Sequence, residues 1–65
     1  LIYTLENMES ASEILKYLNT IDSTTIHPEV FSLAKTSAQY ERMYGNMKKD
    51  CIEKIKKFYN LSDQN

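Results

Sequence analysis

Apolar residues recur along this chain at the spacing of an α-helix, and no β-alternation of useful length interrupts them. The pattern is clearest over residues 46–61, where Met47, Cys51, Ile55 and Phe58 follow at steps of four, four and three. Ile52 and Tyr59 widen that stripe, while Lys48, Lys49, Lys54, Lys56 and Lys57 fall largely outside it. Positions three and four apart share one side of a helix. The spacing therefore predicts an amphipathic helix with Met47, Cys51, Ile55 and Phe58 pointing inward and a basic face turned out. Gly45 suits the left-handed residue that ends a preceding helix, and Asn46 can accept from the unpaired amides of the next first turn. Asp50 with Lys54 and Glu53 with Lys57 place an acid four residues before a base, each pair adding a few tenths of a kcal/mol.

The remaining chain reads as shorter helices that cover this one. Residues 1–8 carry Leu1, Ile2, Leu5 and Met8, which suits one or two helical turns. Ser10-Ala11-Ser12-Glu13 matches a capping box, so a helix is expected to start at Ala11 and to carry Ala11, Ile14, Leu15, Leu18 and Ile21 as its stripe. Asp22, Ser23, Thr24 and Thr25 compete for backbone hydrogen bonds and end it. Pro28 fits the first turn of the next helix because its missing N–H has no partner to lose there, and Glu29 suits the positive end of the helix dipole. Thr36-Ser37-Ala38-Gln39 looks like a second capping box, which predicts a bend near residues 35–37 and a separate short helix through Tyr44. The expected fold is all-α, a compact bundle of four to five short helices in a single domain spanning residues 1–65, with residues 62–65 as a frayed tail.

Length adds one constraint. A chain of 65 residues buries only about 60% of its extended surface, so its stability is expected to be marginal. It begins at Leu1 rather than Met, so it is expected to be a segment of something longer, for which a docking role would be natural. The net charge of −1 hides an asymmetry. Residues 1–34 carry five acids and one base, whereas residues 35–65 carry seven bases and four acids. That polarity can orient a partner, but it falls short of the strongly basic balance of a dedicated nucleic-acid binder. No apolar run is long enough to span a membrane.

Little in the composition supports catalysis. With one glycine there is no Gly-rich phosphate loop. His27 has no Cys or carboxylate at metal-ligand spacing, so neither a metal nor another cofactor is expected. Cys51 has no partner for a disulfide and reads as a small buried hydrophobe in a reducing compartment. A Cys51–His27 nucleophile and base would need a water-excluding cleft for which so small a bundle has little room. Asn60-Leu61-Ser62 matches a glycosylation acceptor only formally and reads as helix C-cap residues. We therefore expect no enzyme.

Interaction is better supported. Tyr40, Met43 and Tyr44 share one side of a helix end beside the Gly45-Asn46 loop, and Tyr and Met offer large, adaptable contact area. The lysine face of the last helix is either a solvated surface balanced by Asp50 and Glu53 or a basic stripe for phosphate or acidic peptide. The second possibility gives the alternative function, a small nucleic-acid-binding domain using Lys48, Lys49, Lys56 and Lys57. A structural or self-associating element is the third.

The run Ile52-Glu53-Lys54 followed by Phe58-Tyr59-Asn60, the segment Glu13-Ile14-Leu15-Lys16-Tyr17-Leu18, and Arg42-Met43-Tyr44 before the last loop carry a resemblance. In the order of its elements the chain resembles the N-terminal domain of transcription elongation factor S-II, and is similar to the integrase-binding domain of lens epithelium-derived growth factor. The resemblance covers most of residues 11–60. It implies a nuclear, transcription- or chromatin-associated module whose inter-helix loops grip short disordered motifs with an apolar or aromatic anchor and an acidic flank. It places Tyr44 and Met47 at the pocket of one loop with Asn46 between them, Leu5 and Glu6 at the other loop, and Lys48 and Lys49 against the ligand's acids.

Overall fold

The computed structural model describes residues 2–21 and 24–59, and they form four α-helices: α1 (Ile2–Glu6), α2 (Ala11–Leu18), α3 (Pro28–Tyr44) and α4 (Lys48–Tyr59). Among the described residues there is no strand. The fold is all-α, and the helices close into a globule with a radius of gyration of 11.0 Å.

Local chemistry explains most of the boundaries. Ser10 is extended (φ −160°, ψ 168°), and its Oγ accepts the Glu13 amide at 3.1 Å, which starts α2 where the capping box predicts. Glu13 reaches back to the Glu9 amide at 3.2 Å, one residue earlier than in the standard box. α2 ends at Leu18, sooner than the apolar stripe implies. The amides of Thr20 and Ile21 tighten onto the carbonyls of Tyr17 and Leu18, and Thr20 Oγ1 donates to the same Tyr17 carbonyl at 2.7 Å. Ile21 still packs on the core, from the turn rather than from the helix. Of the polar run expected to end α2, Asp22 and Ser23 lie outside the described residues, as do the expected caps and tail at residues 60–65.

Pro28 occupies the first turn of α3, as expected, and His27 is its cap, Nδ1 accepting the Glu29 amide at 3.0 Å. The expected bend at residues 35–37 is absent. α3 runs unbroken for 17 residues, with Val30, Ala34 and Ser37 on its buried side. Thr36 and Ser37 do not cap anything because burial of that face against α2 and α4 outweighs a four-residue motif. Gly45 ends α3 at φ 99°, ψ −174°, a region nearly exclusive to glycine though outside the left-handed helical well.

α3 packs chiefly on α2 and then on α4, and α1 docks on α4. The core joins Leu5, Ala11, Ile14, Leu18, Ile26, Val30, Ala34, Cys51, Ile52 and Ile55. Phe58 departs from expectation: it is 38% exposed. The buried side of α4 runs through Cys51, Ile52 and Ile55 and on to the partly buried Tyr59, which leaves Phe58 at its edge. There the ring rests on His27 (centroids 4.9 Å apart) and on Tyr59 (5.2 Å).

Candidate interaction surface

The corner where α3 gives way to α4 is held by one carboxylate. Glu41 Oε2 accepts the Ala11 amide at 2.8 Å and the Met47 amide at 3.0 Å, and Oε1 accepts the Ser12 amide at 3.0 Å and the Ser12 hydroxyl at 2.9 Å. These are orphan donors at the starts of α2 and α4, so a single side chain on α3 caps one helix and ties the approach to another. Burial pushes the Glu41 carboxyl up. The amides of Met47, Ala11 and Ser12 and the Ser12 hydroxyl outweigh it and pull the group from the ordinary 4.5 down to about 2. Asn46 adds a second stitch. Its Nδ2 donates to the Glu9 carbonyl at 2.7 Å and its Oδ1 accepts the Lys48 amide at 2.9 Å, the capping role expected of it.

Around that corner the candidate residues divide. Tyr40, Met43 and Tyr44, in the last turns of α3, are 43%, 65% and 71% exposed; Tyr44 continues the line of Val30, Ala34 and Ser37 and is exposed because it stands at the end of the helix. Tyr40 and Tyr44 pack edge to face with centroids 5.9 Å apart. Met47 is only partly buried and packs against the core, whereas Tyr44, with which the resemblance placed it in one pocket, is largely exposed. Leu5 is wholly buried in the core and cannot meet a partner, contrary to its expected place at a loop surface. Glu6 does remain at the surface. With Asn46, Lys48, Lys49, Ile52, Glu53 and Lys56 it lines an open groove of about 430 Å³, where it lies 3.7 Å from Lys56 Nζ. On α4 the expected Asp50–Lys54 pair forms at 3.1 Å.

The remaining reactive groups are engaged in structure. His27 spends Nδ1 on its cap and its ring on Phe58. Cys51 is fully buried. Burial pushes its thiol up, the Ser37 hydroxyl partly opposes this, Asp50 and Glu41 add to the rise, and Lys54 counters them. Ser37 Oγ is itself buried without a well-aligned hydrogen-bond partner, and the thiol is the polar group it faces. Among the described residues no three His, Cys, Asp or Glu side chains cluster closely enough to hold a metal ion, and no helix is long and apolar enough to cross a membrane.

Sequence reasoning missed Glu41 and the groove between α2 and α3. Glu41 sits between Tyr40 and Arg42 with nothing local to mark it, and its partners lie up to 30 positions away. Comparison of the chain with protein-family models, curated proteins and solved structures gives no significant match.

Proposed function

We propose that the chain is a non-catalytic protein-interaction module that binds a short disordered peptide at the end of α3. The observation that carries this reading is the Tyr40–Met43–Tyr44 patch: Tyr3 and Phe58 are exposed as well, but these three large side chains stand together at one helix end. The ligand that suits it has an aromatic or aliphatic anchor for the patch and acids to meet Lys48 and Lys49, which follow four and five residues after Tyr44. The nuclear, transcription- or chromatin-associated setting belongs to the same proposal and rests on the resemblance alone. Since a disordered ligand loses entropy on binding, the affinity is modest.

A nucleic-acid role for Lys48, Lys49, Lys56 and Lys57 is the less favoured reading, because Lys56 already faces Glu6 and the neighbouring Lys54 is paired with Asp50. Two measurements decide between them. Capture of peptide ligands from a displayed library, followed by titration against Tyr44→Ala, tests the patch: loss of binding with an unchanged helical spectrum supports it, and undiminished binding refutes it. Titration of DNA and RNA oligonucleotides over a range of salt tests the basic face, whose signature is a steep log-linear fall in affinity. Sedimentation at several concentrations shows whether the patch instead pairs two copies.

A further inference from the structure

We infer that the groove between α2 and α3 is a second docking site, shaped for an acidic amphipathic helix of a partner protein. The groove measures about 520 Å³. Leu15 of α2 and Ala38 of α3, both partly buried, line it together with the cationic side chains of Lys16, Lys35 and Arg42. Among the described residues no carboxylate lines it, and none of the three cations is in an ion pair. Ser12 and Gln39 complete the lining, and in a chain whose net charge is −1, three cations with no acid partner among the described residues around one cleft are a local concentration of charge that a complementary ligand would neutralise. Glu41, the acid next to Arg42, is already committed to the amides of Ala11, Ser12 and Met47.

The spacing favours a helix as occupant. Lys35 and Arg42 are seven residues apart on α3, about 10 Å along its axis. A second helix laid in the groove presents carboxylates at the same interval when they too are seven positions apart, with an aliphatic side chain between them to meet Leu15 and Ala38. A single phosphate is too small to engage both ends of such a row. Single-stranded nucleic acid is disfavoured because no aromatic side chain lines the cleft for a base to stack on. The site is separate from the tyrosine patch: about the axis of α3, Tyr40 and Tyr44 lie roughly opposite Lys35 and Arg42.

The probe is a synthetic amphipathic helix with glutamates seven positions apart and leucines between them, beside a peptide of the same composition in scrambled order. Titrated into the isotope-labelled protein, the ordered peptide is expected to shift the amides of residues 12–16 and 35–42. The double variant Lys35→Glu with Arg42→Glu should weaken binding by at least about tenfold, whereas Tyr44→Ala should leave it unchanged. That contrast separates this site from the proposed peptide site on α3, since either can fail without the other. Both cations are exposed, so the fold should survive; if the helical spectrum of the double variant is lost, Lys35→Gln with Arg42→Gln replaces it. No binding, equal binding of the scrambled peptide, shifts confined to residues 40–44, or tighter occupation of the groove by an oligonucleotide would each overturn the proposal.

Discussion

The Oε2 oxygen of Glu41 lies 2.8 Å from the amide nitrogen of Ala11, thirty residues earlier in the chain. Because the same carboxylate also holds Ser12 and Met47, its charge is part of the fold. The sign of its pH dependence follows. The folded-state value is about 2 against 4.5 when unfolded, so the contribution is complete above about pH 4.5 and is lost as pH falls towards 2. The shift corresponds to at most about 3 kcal/mol, and solvent around a partly exposed carboxylate screens it to on the order of 1–2 kcal/mol. Glu41→Gln should be destabilised by that amount at neutral pH and should show a flatter stability profile between pH 5 and 2 than the parent protein, read by urea titration at each pH. Parallel profiles would remove the clasp from the account.

Ser37 offers the opposite sign. Its hydroxyl is buried without a well-aligned partner, and alanine is the better helix former by a few tenths of a kcal/mol. Ser37→Ala should therefore stabilise the domain by about 1 kcal/mol, raising the melting temperature by roughly 4–8 °C. A fall in melting temperature would mean that the contact with the Cys51 thiol is worth more than the desolvation of the hydroxyl.

At Gly45 the backbone alone decides. A Cβ placed there meets nothing within 4 Å, so any loss in Gly45→Ala comes from holding an L residue at φ 99°. The expected destabilisation is about 1–3 kcal/mol. Asparagine should do no better than alanine, since its tolerance is for the left-handed helical well and ψ here is −174°. Thermal melts of the two variants check both statements, and an unperturbed Gly45→Ala contradicts them.

The tyrosine patch should be nearly silent in stability. Tyr44→Ala removes a side chain that is mostly solvated and one edge-to-face contact with Tyr40, so the change should stay within about 0.5 kcal/mol. Leu5→Ala, by contrast, empties a fully buried site and should cost about 2–5 kcal/mol. Denaturant midpoints for the pair test the assignment of one residue to the surface and the other to the core. A large loss at Tyr44 would reverse it.

What could be read from the residues was local. The Ser10 cap, the Pro28 start, the Asn46 cap and the Cys51–Ile55 face are settled within a few positions of each other, and the structure forms all of them. The Thr36–Gln39 motif was equally local and misleading, because the fate of that stretch depends on Val30, Ala34 and Ser37 burying against other helices. Phe58 continued the spacing of Cys51 and Ile55, yet the buried direction of α4 leans towards Ile52 and Tyr59, which only the placement of its neighbours sets. Of the candidate surface, Tyr40, Met43 and Tyr44 are exposed, Tyr44 because α3 ends there although it continues the line of Val30, Ala34 and Ser37, whereas Met47 is partly and Leu5 wholly buried. The Glu41 clasp and the α2–α3 groove join residues far apart in the chain, where periodicity has no reach.

α1 has only five residues, too few to persist as a helix in water by itself, and it is kept in place by Leu5 seated in the core and by its packing on α4. Glu6, one wall of the groove beside Lys48 and Lys49, is carried on that segment. That wall therefore owes its position to tertiary packing alone, through Leu5 in the core, Ile2 and Met8 against it and the Lys56–Glu6 contact, so a change that unseats Leu5 reaches the groove without touching any residue that lines it.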